Sequence, residues 1–363
     1  MQDESYIQIA LELAKKGRGY VSPKPLVGAL LVKNNKIIGA AYRSSPSEEN
    51  TELIALKNAK EPVGDSVLYT NLEPCVFCEE DLDCIDFIIN SKIKRVVIGT
   101  VNPNRKFGGT AAKKLKKAGI EVKTGVLEKE CGEINKFYFK YSVNSIPYVA
   151  LKMASTIDGR IADAGYNSKW ITSVESRSLV HELRSEYDAV LVGIKTVMID
   201  NPQLNVRLVE GRDPKRVILD AKLSIDTNLR LVRRNDDKNL IVLTSKKSKS
   251  KKRKLEKLYE KGIEVVFVSE DKNGLLDPGK ILKKLGKRNI TSVLIEGGGN
   301  VFSSFVKAKL EDEILIFYGP KILGQGISLA SDLGIKSLPK ALKYTIKDID
   351  KIGDDALLKL VRR

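Results

Sequence analysis

Four side chains in the first quarter of the chain have the types and spacing needed for zinc chemistry. Cys75, Cys78 and Cys84 lie within ten residues of one another, and Glu52 lies upstream of them. Thiolates are zinc ligands, and a nearby glutamate can move protons for a metal-bound water. In a chain without a secretory signal, such a cluster indicates metal or redox chemistry more than disulfide bonds.

The Pro-Cys-x-x-Cys sequence at residues 74–78 resembles one half of the signature of zinc-dependent nucleobase deaminases, whose other half is His-x-Glu. Asn50 occupies the position of that histidine, whereas Glu52 keeps the position of the glutamate. An asparagine amide is a far weaker ligand than imidazole, and a catalytic zinc site needs three strong protein ligands. We therefore expect normal zinc binding to be absent.

The composition narrows the class of protein. The 363 residues, 42% hydrophobic and 30% charged, are typical of a soluble globular protein and suffice for two domains. No apolar run approaches the roughly 20 residues of a membrane span. The acidic, then amphipathic, N-terminus does not resemble a secretory signal. We expect a cytoplasmic protein that binds no membrane.

The net charge of +17 raises the question of nucleic-acid binding. Much of the excess lies in the basic run at residues 245–257. A run of this kind is usually a solvated surface, and no nucleic-acid-binding signature accompanies it. We expect no nucleic-acid partner.

Helix and strand patterns alternate through the first 145 residues and predict a layered α/β domain. A hairpin is expected to turn at Asn34–Asn35, and Glu52 and the cysteines are expected at the starts of two helices. The predicted helices are 4–17, 51–59, 83–92 and 109–119, and the predicted strands after the hairpin are 66–71, 95–100 and 121–126.

A second domain is expected to begin near residues 144–162, where strand patterns resume. Its predicted strands are 189–193, 216–220, 240–245, 264–269, 292–299 and 313–319, with further strands toward the C-terminus. Its predicted helices are 173–187, 254–262 and 300–310.

Residues 294–305, LIEGGGNVFSSF, combine a buried strand, three glycines and a helix start. Glycines allow a phosphate to approach the backbone closely, and the N–H groups of a helix start bind anions. A tight turn without a ligand is equally compatible with the pattern. The Gly-x-Gly-x-x-Gly of a Rossmann unit is absent.

These segments resemble, in order and spacing, the two-domain deaminase/reductase family of riboflavin biosynthesis. The resemblance implies a cytidine-deaminase-like three-layer domain at residues 1–144 and a dihydrofolate-reductase-like domain at 145–363. It implies NADPH-dependent reduction of the ribosyl group of 5-amino-6-(5-phosphoribosylamino)uracil to ribityl, and a homo-oligomer. The matching stretches are 147–162, 168–173, 189–204, 216–220 and 293–306.

The same resemblance implies the site residues. Those expected to bind NADPH are Ala154, Trp170, Thr196, Asp200, Gly298, Gly299, Asn300, Val301, Phe302, Ser303 and Ser304. Those expected to bind the phosphorylated pyrimidine are Ser168, Arg184, Leu204, Arg207 and Glu296. Arg184 and Arg207 suit a phosphate because guanidinium binds it through two hydrogen bonds. Lys152 and Glu296 are the titratable candidates for assisting ring opening or protonation.

The first domain departs from the family pattern. Residues 22–25 and 102–105 read SPKP and NPNR where the family has Ser-Pro-Asn-Pro and Asp-Pro-Asn-Pro. Five carboxylates surround the second half of the cysteine motif and would repel a phosphorylated substrate. These are Glu79, Glu80, Asp81, Asp83 and Asp86.

We favour the hypothesis that the first domain has lost its deaminase activity and is kept for folding or oligomer contacts. One alternative is a working deaminase in which Cys75, Cys78 and Cys84 hold zinc and Glu52 moves protons. Another is a structural zinc site formed by the three cysteines and a carboxylate. A protein without activity in either domain is a further alternative, which the near-complete set of reductase residues opposes.

Overall fold

The computed structural model describes residues 2–75, 84–104 and 106–363 of the chain. The chain divides into two compact units, Met1–Ser145 and Ile146–Arg363. The predicted domain boundary, between residues 144 and 145, is adjacent to this division. Within the described ranges, no helix combines the length and the apolar character needed to cross a membrane.

The first unit is a five-stranded mixed sheet between helices. Its elements in chain order are α1 Gln2–Lys15, β1 Gly28–Lys33, β2 Lys36–Tyr42, α2 Thr51–Lys57, β3 Val67–Leu72, α3 Cys84–Asn90, β4 Arg95–Thr100, α4 Thr110–Lys117, β5 Glu121–Thr124, α5 Glu128–Ile134 and α6 Lys136–Asn144. The strand order is β2-β1-β3-β4-β5. β1 is antiparallel to β2 and β3, and β3, β4 and β5 are parallel.

Strand β1 explains why this unit has three layers. Leu30 packs in one apolar cluster with residues of α1, whereas Ala29 and Leu31 pack in another with residues of α2, α3 and α4. Successive side chains of a strand point to opposite faces, so both faces of the sheet need a helical cover. The predicted hairpin turn is present, since Asn34 and Asn35 have φ of 48° and 60°, as a two-residue type I′ turn requires.

The second unit is built on a nine-stranded sheet. Its elements are β6 Tyr148–Thr156, β7 Arg160–Ala162, α7 Val174–Glu186, β8 Ala189–Gly193, α8 Ile194–Asp200, β9 Lys215–Leu219, α9 Arg230–Arg233, β10 Leu240–Ser245, α10 Lys252–Glu260, β11 Glu264–Val268, α11 Pro278–Gly286, β12 Ser292–Glu296, α12 Gly299–Ala308, β13 Glu313–Gly319, β14 Ile327–Ser328, β15 Tyr344–Ile352 and β16 Asp355–Arg362. Two short 3₁₀ helices span Lys246–Ser250 and Leu338–Lys340.

The order of this sheet places three strand ends side by side. The order is β11-β10-β9-β8-β12-β6-β13-β16-β15, parallel from β11 to β13 and antiparallel across β16 and β15. Strands β7 and β14 form a separate two-stranded sheet. The carboxyl ends of β8, β12 and β6 therefore meet at one edge, which is where open α/β sheets bind ligands.

Several elements were not predicted from the sequence. Among the α-helices, these are α5, α6, α8, α9 and α11. In the segment that carries α8, only the turn at Asn201–Pro202 was predicted. The turn follows directly, because Asn201 ends α8 in the left-handed conformation with φ of 41°.

Candidate active site

Two ionisable side chains lie next to each other, Lys152 in the middle of β6 and Glu296 at the carboxyl end of β12. Lys152 and Glu296 are partners in the parallel register of these strands. Lys152 is half-buried, and its Nζ lies 5.4 Å from the centroid of the Phe317 ring on β13. The adjacent positions follow directly from strand pairing, since residues in register on neighbouring strands share a face of the sheet.

A buried ion pair joins Glu296 to helix α7. Arg184 Nε donates to Oε1 at 2.6 Å and Nη2 donates to Oε2 at 2.8 Å, with side chains only 11% and 12% exposed. Burial alone would raise the pKa of Glu296, but the charge and hydrogen bonds of Arg184 outweigh it and lower the pKa. Glu296 is therefore held as a carboxylate.

The same surroundings disfavour the charged form of Lys152. Burial, with a contribution from the Arg184 charge, lowers the pKa of Lys152, and the nearby Glu296 carboxylate only partly opposes this. A lysine whose pKa is lowered gives up its proton more readily than an exposed lysine does. Lys152 is thus suited to donate a proton to a bound molecule.

Arg184 also holds the segment after α8, at residues 204–207. Its Nη1 donates to the backbone oxygen of Asn205 at 3.2 Å. In this segment Leu204 is buried, while Arg207 is exposed, with its Nη1 donating to Asn205 Oδ1 at 3.2 Å. The structure therefore brings Arg184, Arg207 and Glu296 together, as the sequence predicts for three of the substrate residues.

His181, which the sequence analysis did not include, belongs to the same cluster. It is the only histidine of the chain and is 3% exposed. Its Nδ1 accepts a hydrogen bond from the backbone N–H of Arg207 at 3.0 Å, and Nε2 lies 3.5 Å from Arg184 Nη1. Its position one helical turn before Arg184 was the only signal in the sequence, since residues three apart share a helix face.

The glycine-rich turn between β12 and α12 packs against the turn between β8 and α8. A Cβ at Gly298 would lie 3.8 Å from Thr196 Oγ1, and a Cβ at Gly193 would lie 3.0 Å from Val301 Cγ2. The first turns of two helices thus meet beside the Glu296 strand end. Unpaired N–H groups of a helix start, exposed by glycine, suit a phosphate.

Not every predicted cofactor residue turns its side chain toward this edge. Phe302 is part of the hydrophobic core, and the Ser303 hydroxyl accepts a hydrogen bond from Ser331 N at 2.8 Å. Asn300 is exposed, with Oδ1 accepting from the Ser331 hydroxyl at 2.5 Å. Ser304 is half-buried and donates to a backbone oxygen of its own helix. The side chains of Phe302 and Ser303 are buried, so only their backbone is available for the predicted binding of NADPH.

The remaining predicted residues have no bond to the cluster among the contacts described. Ala154 is half-buried on β6, and Ser168 is half-buried before α7. Trp170 is 59% exposed, and the Arg177 Cζ lies 3.9 Å from the centroid of its ring. Asp200 ends α8, where burial raises its pKa. The lone tryptophan is thus a surface residue and not part of the core.

In the first unit, Glu52 lies in the first turn of α2 and is 1% exposed. Its Oε1 accepts a hydrogen bond from Thr70 Oγ1 at 2.9 Å. Glu52 Oε2 and the buried Nδ2 of Asn50 have no hydrogen-bond partner within the described part of the chain. Burial raises the pKa of Glu52 and favours its uncharged form.

Cys75 and the backbone of Cys84 lie in the described part of the cysteine motif. Cys75 is exposed after β3, and Cys84 begins α3. Cys78 and the carboxylates at 79, 80, 81 and 83 lie outside the described residues, as does the side chain of Cys84. Within the described residues, no three His, Cys, Asp or Glu side chains converge on a metal position. The neutral amide of Asn50 is a weak zinc ligand, so the described residues do not fit a normal zinc site.

Both units of the chain match known protein families. The RibD C-terminal domain family matches residues 147–358, and the zinc-binding region of cytidine and deoxycytidylate deaminases matches residues 1–100. The riboflavin biosynthesis protein RibD of Aquifex aeolicus is 41% identical over 98% of this chain and 97% of its own length. This chain belongs to the RibD family of riboflavin biosynthesis proteins.

Other relatives extend the likeness over both units. The Escherichia coli RibD protein is 31% identical over 99% of this chain and all of its own length. A structure of Acinetobacter baumannii RibD has a TM-score of 0.89 at 30% identity and covers 100% of this chain and 99% of that one. A Thermotoga maritima deaminase/reductase structure has a TM-score of 0.88 at 37% identity, covering 99% of both chains.

Membership in the RibD family confirms the resemblance and the α/β fold class, with a deaminase-like domain followed by a reductase domain. It also confirms that the chain is an enzyme of riboflavin biosynthesis. The deaminase match covers the region in which Asn50 stands at the histidine position. The assignment of individual site residues, the homo-oligomer and the choice of nicotinamide cofactor stay predictions.

Proposed function

We propose that the second domain reduces the ribosyl side chain of 5-amino-6-(5-phosphoribosylamino)uracil to ribityl with NADPH. The observation that carries this proposal is the cluster of the half-buried Lys152 with the Arg184–Glu296 ion pair, beside a glycine-rich helix start. The Thermotoga maritima relative is described as a reductase of this compound. A polar cluster at the strand ends, next to a turn suited to phosphate, fits a phosphorylated substrate and a dinucleotide.

The reaction needs one hydride and one proton. Opening the sugar ring moves a proton from the nitrogen on C1′ to the ring oxygen and leaves a carbon–nitrogen double bond. NADPH, when bound, supplies the hydride to C1′, and a proton must then reach the nitrogen. We assign the donation of this proton to Lys152, because burial lowers its pKa. We assign a polar contact with the substrate to the Glu296 carboxylate, whose pKa is lowered.

The substrate phosphate is assigned to Arg207. Replacing Arg207 with Ala is expected to raise the substrate KM about 10- to 100-fold, because a hydrogen bond to a charged group contributes roughly 1.5–3 kcal/mol. The Kd for NADPH should stay unchanged. Steady-state kinetics that determine KM and kcat separately, together with an NADPH titration, measure these effects.

Lys307 offers a matched control for Arg207. It is an exposed cation in the last turn of α12, at the end of that helix away from the glycine-rich turn. Lys307→Ala therefore removes the same unit of charge outside the proposed site. This variant should behave like the wild type. Equal losses of substrate and NADPH affinity in Arg207→Ala would contradict the assignment.

Neighbouring glycines test the position of NADPH. A Cβ at Gly298 meets nothing closer than 3.8 Å, which is ordinary contact, whereas a Cβ at Gly299 lies 3.1 Å from the backbone oxygens of Ser328 and Leu329. We expect Gly298→Ala to keep the wild-type Tm but to raise the Kd for NADPH about tenfold or more, which corresponds to ~1.4 kcal/mol of binding free energy. Gly299→Ala should lower the Tm. Unchanged NADPH affinity in Gly298→Ala would place the cofactor elsewhere.

We infer that the first domain carries no normal zinc deaminase site, because Asn50 replaces the histidine. Metal analysis of the purified protein should find less than one zinc per chain, and the deaminase substrate should release no ammonia. Stoichiometric zinc with ammonia release, both lost in Cys78→Ser, would instead support the three-cysteine alternative. Zinc without ammonia release would support the structural zinc site.

A further inference from the structure

His181 and Arg184 lie on one face of α7 and both hold the 204–207 segment, which we call the 204–207 loop. Arg184 Nη1 donates to Asn205 O at 3.2 Å, and His181 Nδ1 accepts from Arg207 N at 3.0 Å. A third contact, from Val206 N to Asp213 Oδ1 at 2.7 Å, completes the attachment. Three consecutive residues of the loop are therefore fixed by groups outside it.

The loop needs such contacts to keep its shape. Leu204 has a φ of 54°, a left-handed conformation that is uncommon and unfavourable for a bulky residue. The Arg207 side chain is exposed, so packing does little to orient it. Its direction is consequently determined by the Asn205 side chain, whose Oδ1 accepts from Nη1 at 3.2 Å, and by its own backbone, which His181 holds.

Only a neutral His181 can accept this hydrogen bond, because the Nδ1 of an imidazolium carries a proton. The charged groups that face the ring are Arg184 on its own helix, Arg207 in the loop, Glu296 on β12 and Lys152 on β6. Burial and the two arginines, aided by Lys152, lower the pKa of His181 from 6.5 to about 4, against the opposing charge of Glu296. The acceptor is thus present at neutral pH.

We propose that His181 is a positioning residue, which fixes the backbone of Arg207 so that the guanidinium meets the substrate phosphate. It touches neither substrate nor cofactor. The inference rests on the proposed function, in which Arg207 binds that phosphate. It predicts an effect on substrate KM through Arg207 and no effect on NADPH.

The test compares His181→Leu with His181→Asn. Leucine fills the space without an acceptor, whereas the Oδ1 of asparagine can accept the Arg207 N–H from nearly the position of Nδ1. We expect His181→Leu to raise the substrate KM by about tenfold or more, with kcat and NADPH Kd close to wild type. His181→Asn should restore most of the wild-type KM.

A double-variant cycle separates positioning from general destabilisation. In the Arg207→Ala background, His181→Leu should add nothing further to KM, because the contact that it supports is already lost. Independent, multiplying effects of the two changes, or a KM in His181→Asn as high as in His181→Leu, would overturn the inference.

A pH series covers the case in which His181→Leu does not fold. The wild-type KM should rise as the pH falls toward about 4. This rise should exceed any rise in the KM of His181→Asn, because the asparagine side chain does not titrate. The phosphate and Glu296 titrate in both proteins, so only the difference between them is diagnostic. Identical profiles would overturn the inference. A wild type that consumes no NADPH with this substrate would instead refute the proposed function.

Discussion

Replacing Glu296 with Gln is expected to lower kcat/KM for the reduction by about 100- to 10,000-fold, the range in which a positioned polar or acid–base group contributes. Glu296 is ionised, buried and bound to Arg184 through two hydrogen bonds, and it lies in register with Lys152. Gln keeps the shape but removes the charge that orients both cations. Steady-state kinetics with NADPH in excess measure the effect, and the NADPH Kd should remain close to wild type.

Loss of stability could imitate this result, so a second variant is needed. Breaking a buried ion pair costs roughly 3–5 kcal/mol, whereas replacing both partners with apolar residues of similar volume is often neutral. The double variant Arg184→Met with Glu296→Met should therefore unfold near the wild-type Tm and still be inactive. A folded Glu296→Gln protein with wild-type kcat/KM would contradict the assignment.

Replacing Lys152 with Met is expected to cause a loss of similar size, about 100-fold or more. Met has nearly the length of Lys and preserves the contact with Phe317 while removing the proton. In the wild type the protonated form is active, so kcat/KM should fall as the pH rises through the pKa of Lys152. Because burial lowers that pKa, the decline should begin below the range of an ordinary lysine.

The variant Lys152→Arg separates proton transfer from charge. Arginine keeps the positive charge but does not release its proton in proteins. If Lys152 donates a proton, both variants should be impaired, and their residual activity should lack the decline at high pH. Wild-type kcat/KM in Lys152→Arg would restrict the role of Lys152 to electrostatics.

Features that depend on local spacing could be predicted from the sequence. The Asn34–Asn35 turn is one example, because both residues tolerate positive φ and lie between two strand patterns. The family resemblance implied Arg184, Arg207 and Glu296 as substrate residues, and the structure brings them together, while their roles stay predictions.

Features that depend on tertiary packing could not be predicted. The contact of His181 with the Arg207 backbone joins α7 to a loop 26 residues away, and no local pattern indicates it. Phe302 lies within a cofactor motif, yet its side chain packs in the core. A motif identifies positions along the chain, whereas the orientation of each side chain is decided by the packing around it.

Helix α11 shows how one local signal can hide another. The sequence Asp-Pro-Gly at residues 277–279 is typical of a turn. In the structure Asp277 caps the helix by accepting from Lys280 N at 2.9 Å, and Pro278 is the first helical residue. Proline at this position loses no hydrogen bond, so the same residues also signal a helix start.

The most direct test of the proposed function is a stoichiometric assay of the wild-type protein with 5-amino-6-(5-phosphoribosylamino)uracil and NADPH. The loss of reduced nicotinamide is followed together with the formation of the ribityl product. We predict that one NADPH is consumed for each ribityl product formed, without added metal. No consumption of NADPH above the substrate-free control, with folded protein and authentic substrate, would contradict the assignment of the second domain as this reductase.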